Sequence, residues 1–206
     1  MKLILTLISF LSFVACSTTT SKNKFTCAQG DCENGIGRFV YSNGDSYEGK
    51  IKNSKANGKG TAFHSNGNIL EGFWEDDYLI DGTLYYANGD QFTGSFKKTR
   101  EFNFIYGEYI WNHGQIYTGN WKGLLRHGLG VEYYKDGSIY LGEHHNDQRD
   151  GPGILFKQDG SQIGGFWENN NINTPIENFK FENLLEALDE HPSQRMMDLI
   201  NNTHKY

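Results

Sequence analysis

The sequence predicts an all-β protein made of six successive β-hairpins and a short C-terminal helical segment. Three series of glycines carry this prediction. The first series follows an Asn, Asp or His at intervals of 23, 22, 25, 23 and 23 residues: Gly44, Gly67, Gly89, Gly114, Gly137 and Gly160. A second glycine lies five residues after each of these turn glycines, and a third lies seven residues before each. This period is typical of an array whose units bury their apolar surfaces against one another.

Each unit is predicted to be a hairpin over residues 35–172. About seven residues with extended character lie on each side of the turn glycine, as in residues 37–49. Asn-Gly and Asp-Gly favour a two-residue type I′ turn, because both central residues of that turn take positive φ. A three-residue loop with a bulge is the alternative.

Two columns of the repeat are apolar almost throughout and are predicted to face each other in the core. The first lies four residues before the turn glycine: Val40, Phe63, Tyr85, Ile110, Tyr133 and Phe156. The second lies three residues after it: Tyr47, Leu70, Phe92, Tyr117, Tyr140 and Ile163. In the three-residue loop, another column would replace the first: Phe39, Ala62, Leu84, Tyr109, Glu132 and Leu155. We prefer the two-residue loop, because Glu132 and Ala62 make poor core residues.

A third column lies seven residues after the turn glycine and is largely aromatic: Ile51, Trp74, Phe96, Trp121, His144 and Trp167. Glycines that alternate with aromatic residues predict rings lying flat over backbone without a Cβ. The 25 glycines and the 15% of aromatic residues, against 37% hydrophobic residues, indicate a thin sheet rather than a globule.

Written as G-x-G-x-x-x-Y-x-N-G-x-x-Y-x-G-x-W, the unit resembles the MORN (membrane occupation and recognition nexus) repeat family from residue 35 to about residue 168. The resemblance implies a single-layer, extended antiparallel sheet that serves chiefly to scaffold or to bind. Ile80 and Ile105 stand where the first glycine is expected, and His144 replaces the expected Trp. The linker over residues 98–106 is two residues longer than its counterparts.

Residues 1–15 are predicted to be a signal peptide, because a basic start precedes an apolar run too short to span a bilayer. Residues 13–16, Phe-Val-Ala-Cys, are similar to a bacterial lipobox, with Phe13 where Leu is usual. We therefore predict a lipid on Cys16 and a polar tether over residues 16–26; an ordinary signal peptide cut near Ala15 is the alternative. Such a chain is secreted across the inner membrane and lipid-anchored to the cell envelope, at the outer membrane.

Cys27 and Cys32 are predicted to form a disulfide that closes an N-terminal loop over residues 27–34, because an isolated pair in an exported protein favours this bond. A zinc site would need about four ligands, and no second Cys pair or His-x-x-His motif lies nearby. Two buried free thiols are the other alternative.

Residues 173–206 are predicted to form a helical cap. Thr174 to Glu177 fit a capping box with Pro175 at the first helical position. Apolar residues follow at helical spacing: Phe181, Leu184, Leu185 and Leu188. Pro192 ends this helix, and Ser193 begins a second one with Met196, Leu199 and Ile200. The cap is predicted to shield the last strand; a partner-binding helix is the alternative.

No set of residues predicts catalysis, a cofactor or a metal site. The paired glycines lack the third glycine of a nucleotide fingerprint. Residues 75–77 are predicted to be an acidic solvated turn, since they lack the spacing of a calcium loop. A net charge of −6 disfavours nucleic acid as a partner. We expect a non-enzymatic, membrane-tethered scaffold or protein-interaction module that takes no small-molecule ligand; a phospholipid-binding repeat protein is the alternative.

The partner surface is predicted on the irregular segment after residue 98. Four large rings lie within ten residues there: Phe102, Phe104, Tyr109 and Trp111. These are more rings than the core columns need, and exposed aromatic clusters anchor interfaces. The alternative is that the rings fill the gap left by the irregular repeat.

Overall fold

The computed structural model describes residues 25–188, which form one open antiparallel β-sheet of 14 strands and one short helix. The strands pair in sequence order. They are β1 (Phe25–Gly30), β2 (Ile36–Tyr41), β3 (Ser46–Lys52), β4 (Lys55–Phe63), β5 (Ile69–Glu75), β6 (Tyr78–Tyr85), β7 (Gln91–Phe96), β8 (Phe104–Ile110), β9 (Ile116–Gly123), β10 (Leu125–Tyr133), β11 (Ile139–His145), β12 (Gln148–Phe156), β13 (Gln162–Glu168) and β14 (Asn171–Pro175), followed by α1 (Phe181–Ala187). The predicted fold of successive hairpins is confirmed.

The loops that carry the turn glycines hold three residues rather than two. In the first loop, the N–H of Tyr41 donates to the carbonyl of Asp45 at 2.9 Å, and the N–H of Gly44 donates to the carbonyl of Tyr41 at 3.0 Å. The same two bonds recur at the other five turn glycines. Gly44 has a φ of +89°, and the Asn43 side chain accepts the N–H of Asp45 at 3.1 Å. The predicted type I′ turn is wrong here, because the Asn side chain supports a turn in which glycine alone is left-handed.

This loop length shifts the register by one residue from the preferred prediction. Phe39 pairs with Tyr47, and Leu84 pairs with Phe92. The column that begins at Phe39 therefore belongs to the core. The column that begins at Val40 points to the other face, where Phe63 and Tyr85 are 41% and 40% exposed. The preferred prediction is wrong, because a shift of one residue exchanges the two faces of a strand.

Type I′ geometry instead occurs at the opposite edge of the sheet, where one repeat joins the next. Both central residues of these two-residue loops have positive φ: Asn53 with Ser54, Asp76 with Asp77, Asn146 with Asp147, and Asn169 with Asn170. Asn and Asp enter this conformation more readily than most residues. Each of these loops contacts the strand two before the one that it leads into. The loop between β5 and β6, for example, contacts β4, where the Asp77 carboxylate accepts the N–H of Ala56 at 2.7 Å.

The front face, defined here as the face that carries Phe39 and Tyr47, holds an aromatic core. Every residue of the third column is at most 9% exposed. Three indoles each donate to a glycine carbonyl: Trp74 to Gly60 at 2.9 Å, Trp121 to Gly107 at 3.2 Å, and Trp167 to Gly153 at 3.0 Å. A Cβ added to Gly60 would lie within 2.7 Å of three atoms of the Tyr47 ring system. The prediction that rings lie over bare backbone is confirmed.

The back face changes character along the sheet. One row of cross-strand neighbours runs from β2 to β13: Arg38, Glu48, Thr61, Glu71, Thr83, Thr93, Glu108, Thr118, Val131, Leu141, Ile154 and Gly164. The first eight are polar, whereas Val131, Leu141 and Ile154 are at most 1% exposed. These three pack against Phe179 and Leu184, so the C-terminal segment covers the back of the last repeats.

The C-terminal segment differs from the prediction in two ways. Asn171–Pro175 forms a strand on β13, so Thr174 and Pro175 extend the sheet and do not cap a helix. The helix begins at Phe181, where the N–H of Lys180 donates to the Asn183 side chain at 2.8 Å. α1 packs on a face of the sheet rather than on its edge, because the row on β10 to β12 is apolar there. The predicted second helix after residue 192 lies outside the described residues.

β1 adds a strand before the first repeat. The ring of Phe25 lies 4.1 Å from that of Phe39 between centroids, which extends the front core by one strand. Residues 25–30, predicted as the end of the tether and part of a loop, are therefore strand. The structure joins Cys27 and Cys32 in a disulfide, with the two Sγ atoms 2.04 Å apart. The predicted signal peptide and Cys16 lie outside the described residues.

Candidate functional site: a groove on the front face

A groove crosses the front face over the first three repeats, and we call it the front groove. Its first depression, of about 440 Å³, is lined mainly by eight residues: Tyr41, Asp45, Tyr47, Ala56, Ala62, His64, Trp74 and Asp77. A second depression, of about 1080 Å³, shares His64, Trp74 and Asp77 with the first and continues to residues 96–103. Ligand sites commonly measure about 300–1,000 Å³.

The first depression exists because two small residues stand in columns that are otherwise filled. In the column of Ala62, the other repeats carry Phe39, Leu84, Tyr109, Glu132 and Leu155. Ala56 lies twelve residues after the turn glycine of the first repeat. At that position, other repeats carry Leu79, Arg126, Arg149 and Ile172. Both alanines lie at the floor of the front face, 3% and 8% exposed. Each leaves the volume of a long side chain open between the aromatic rings on either side.

Two carboxylates give the first depression its charge. The Asp77 carboxylate accepts the N–H of Ala56, and desolvation raises the pKa of this carboxyl above its usual value. Burial, followed by the charge of Asp77, raises the pKa values of Tyr41 and Tyr47 to about 12 each. The Asp45 carboxylate accepts the N–H of Ser65 at 2.8 Å. Aromatic walls beside carboxylates suit a cationic group, because ring faces and carboxylates both attract positive charge.

The equivalent place between the fourth and fifth repeats is filled by a polar cluster, which we call the Glu132 cluster: Gln115, Arg126, Glu132, Tyr134, His144 and Asp147. The Glu132 carboxylate accepts the O–H of Tyr134 at 2.6 Å and the side-chain N–H of Gln115 at 2.5 Å. It also pairs with the Arg126 guanidinium, and it lies 3.5 Å from Nε2 of His144. Glu132 is only 2% exposed, so these four partners replace the water that it loses.

The electrostatics of the Glu132 cluster keep the carboxylate ionised and the imidazole neutral. Burial on its own would raise the pKa of Glu132, but hydrogen bonds and the Arg126 charge lower it below its usual value. Burial lowers the pKa of His144, although Glu132 opposes this shift. Neutral His144 therefore donates its Nε2–H to Glu132. Both oxygens of Glu132 have partners, which explains how a charged residue occupies a core column.

The structure brings the four residues predicted as a partner surface into one cluster, but packs them against the front core instead of leaving them exposed; the Tyr109 ring lies 6.5 Å from that of Phe104 and 4.6 Å from that of Trp111 between centroids. Phe104 is 2% exposed, with its ring stacked on Phe92 at 3.6 Å between centroids. The prediction is wrong for Phe104, because a bulge beside it turns the ring into the front core. Tyr109 and Trp111 are half-buried beside that core, and the O–H of Tyr109 donates to Asp90 at 2.8 Å. Phe102 lines the second depression of the front groove.

Sequence reasoning missed the residues that shape the front groove. Ala62 was a reason to reject the correct register, and Asp77 belonged to a predicted solvated turn. The available signal was alanine at two positions where the other repeats carry larger residues. That signal becomes visible only once the register is known, because in the other register Ala62 lies outside the core.

Among residues 25–188, no group of three or more His, Cys, Asp or Glu side chains is placed to hold a metal ion. Within that same range, the structure contains no helix with the length and apolar character needed to cross a membrane.

Comparison with known proteins detects MORN repeats. The family model for the MORN repeat matches residues 33–46, 47–69, 117–139 and 140–162. Residues 70–116, which include the irregular segment, lie between these matches. MORN repeats indicate a repeat protein involved in binding or interactions. No curated protein matches the chain. Among solved structures, the SAS-4 (dCPAP) TCP domain in complex with a proline-rich motif of Ana2 (dSTIL), of Drosophila melanogaster, is 13% identical over 80% of this chain and 91% of that chain, with a TM-score of 0.41.

Proposed function

We propose that this MORN-repeat protein is a non-enzymatic, membrane-tethered interaction module of the bacterial cell envelope, and that its front groove binds an extended segment of a partner protein. The observation that carries the proposal is the front groove itself. It runs across the strands from β2 to β7, which is about 24 Å at about 4.8 Å between strands. That length matches about seven residues of extended chain at about 3.3 Å each.

The tether is proposed from the sequence. A lipid on Cys16 would hold the array near the membrane, and residues 16–24 would reach up to about 30 Å from it when extended. The Cys27–Cys32 disulfide fits this proposal, because such bonds persist in oxidising compartments outside the cytosol.

A protein partner is favoured over the alternative of phospholipid head groups. Binding to an anionic lipid surface needs a patch of uniform positive charge. Lys50 and Lys59 are exposed on the back face, but Glu48 and Glu71 are exposed on the same face. The mixture of signs weakens attraction to a charged membrane surface.

The groove is tested with two variants that add the same ring to adjacent residues of β4. Ala62→Phe fills the first depression with the side chain that Phe39 places in the equivalent column. Thr61→Phe adds the same ring to the back face. The full-length protein is cross-linked in intact envelopes of its source bacterium, and the captured proteins are identified by mass spectrometry. We expect one partner to be captured by wild type and Thr61→Phe and to be lost with Ala62→Phe. Equal capture by all three proteins would overturn the groove as the binding site.

The tether is tested by replacing Cys16 with Ala. Wild type should sediment with membranes and carry an acylated N-terminal peptide by mass spectrometry, whereas Cys16→Ala should become soluble. A wild-type protein without an acyl mass would refute the lipid anchor.

A further inference from the structure

We propose that the first depression of the front groove binds the guanidinium group of an arginine side chain from the partner segment. This inference rests on the proposed function and names the chemistry of the partner. Its basis is internal: the same protein fills two equivalent positions of its own sheet with arginine.

Arg126 is the first internal example. Its guanidinium lies 5.8 Å from the Trp111 ring centroid and 5.9 Å from that of Tyr117. The Nε–H donates to the Asp147 carboxylate at 3.2 Å, and a terminal N–H donates to the Asp147 carbonyl at 2.7 Å. Rings, the Glu132 carboxylate and a turn residue with positive φ thus surround the guanidinium.

Arg149, one repeat later, repeats this geometry. Its guanidinium lies 4.4 Å from the Trp167 ring centroid and 5.5 Å from that of Tyr140. A terminal N–H donates to the carbonyl of Asn170 at 2.9 Å. Asn170 occupies the same turn position as Asp147, so the backbone carbonyl is the acceptor common to both examples.

The first depression has the same arrangement of rings and turn residue around Ala56, without a counterpart of the Glu132 carboxylate. Tyr41 and Tyr47 stand where Trp111 and Tyr117 flank Arg126, and Trp74 stands where Trp167 flanks Arg149. Asp77 takes the position of Asp147. Its backbone geometry is also the same. Asp77 accepts the N–H of Ala56 at 2.7 Å, as Asp147 accepts that of Arg126 at 2.8 Å, and both turns return an N–H to the opposite carbonyl at 3.0 Å.

The residue at the arginine position is Ala56, which leaves the site open from the front. Ala62 replaces Glu132 beside it, which removes the second large side chain. The nearby cation Lys55 pairs instead with Asp76, at 3.8 Å on the exposed side of the turn. Asp77 therefore supplies negative charge to a cavity whose described lining contains no arginine, and Asp45 adds a second carboxylate that lies 3.5 Å from Nδ1 of His64.

The geometry selects guanidinium over ammonium. A guanidinium is planar, so it stacks on a ring while its edge donates to a carboxylate and a carbonyl together. An ammonium group lacks this flat face. A lysine side chain should therefore bind less well than arginine of the same charge.

The test uses acetyl-arginine-N-methylamide as the probe, with the matching lysine and citrulline compounds, because citrulline keeps the shape of arginine without its charge. Binding to the full chain is followed by NMR, through the Ala56 amide and the Trp74 indole N–H. Asp77→Asn removes the charge but retains an oxygen that accepts the N–H of Ala56. Ala56→Arg restores the internal arginine. Thr61→Arg adds the same charge to the back face of β4 as the control.

We expect saturable shifts with arginine in wild type and in Thr61→Arg. The citrulline probe should bind wild type about tenfold more weakly than the arginine probe does, because a charge-assisted hydrogen bond is lost. The arginine probe should bind Asp77→Asn about tenfold more weakly than wild type for the same reason. Ala56→Arg should show no saturable shift. Equal binding of citrulline and arginine, or unchanged binding by Ala56→Arg and Asp77→Asn, would overturn the inference.

The outcome separates this inference from the proposed function. If Ala56→Arg still captures the envelope partner that Ala62→Phe loses, the groove binds a partner without using an arginine, and only the inference fails. If the arginine probe binds but no partner depends on the groove, the site stands and the proposed function fails.

Discussion

Replacement of Gly153 by Ala tests whether packing of rings on glycine holds the sheet together. Gly153 on β12 has no left-handed backbone, so alanine changes only the space that the residue occupies. The added Cβ would lie 2.6 Å from Cζ and 2.7 Å from Cε2 of Tyr140. Ordinary carbon contacts are about 3.5–4.0 Å. The Tyr140 ring must therefore move by about 1 Å.

The Tyr140 ring has little freedom to move. It is fully buried, and its O–H donates to the carbonyl of Glu143 at 3.1 Å. Overpacking of this kind costs about 1–3 kcal/mol, and loss of the hydrogen bond would add about 0.5–1.5 kcal/mol. We expect Gly153→Ala to lower the free energy of unfolding by about 2–3 kcal/mol, measured by urea denaturation of the full chain.

Gly160 provides a control in the same hairpin. It has a φ of +81° and no heavy atom within 4 Å of an added Cβ, so Gly160→Ala introduces only backbone strain, about 1 kcal/mol. Tyr140→Leu removes the ring atoms that Cβ would meet, so Gly153→Ala should cost less than about 1 kcal/mol in that background. The reasoning is refuted if Gly153→Ala costs no more than Gly160→Ala, or if the effects of Gly153→Ala and Tyr140→Leu simply add.

Two other predictions concern the later repeats. A change from about pH 7.5 to about pH 5.5 should destabilise wild type more than His144→Trp. The pKa of His144 is lowered from 6.5 on folding, so the unfolded chain gains the proton as the pH falls through that value; equal losses of the urea midpoint would contradict this. Leu184→Asp places a carboxylate against Val131 and Leu141 and should cost at least about 3 kcal/mol. Glu182→Asp, on the exposed side of α1, is the control, and unchanged hydrogen-exchange protection of β11 in Leu184→Asp would show that α1 does not stabilise this face.

The sequence predicted the hairpins because each repeat carries the same glycines, and no interaction between distant residues is needed to see them. The register depended on finer chemistry. Asn-Gly and Asp-Gly are compatible with both loop lengths, so the register has to be chosen by which column makes the better core. Ala62 and Glu132 make the correct column look unsuitable. Glu132 is suited to the core only because Gln115 reaches it from the turn before β9, Arg126 from β10 itself and His144 from β11. Those contacts have no local signature in the chain.

The ends of the sheet were predicted less well because they lie outside the repeat. β1 has no glycine landmark, and its main contact is the ring of Phe25 on Phe39. At the other end, Thr174 and Pro175 satisfy a helix-start pattern, but the free edge of β13 binds that segment as a strand. The local helix-start pattern is overridden by the unpaired edge of β13, because such an edge is a strong template for strand addition.

The departures from the repeat occur in matched sets, and this explains where a partner should bind. In the later repeats, Glu132, Arg126 and His144 fill the front face together, and Val131 and Leu141 are apolar where α1 covers the back. Substitution of one member alone would leave a buried charge or an exposed apolar row. The first repeats differ on both faces. Ala56 and Ala62 leave space on the front face, and a row of polar residues lets the back face contact solvent. Among the described residues, the later half of the sheet is filled in front and covered behind by the chain itself, and we propose that a partner occupies the equivalent front surface of the first half.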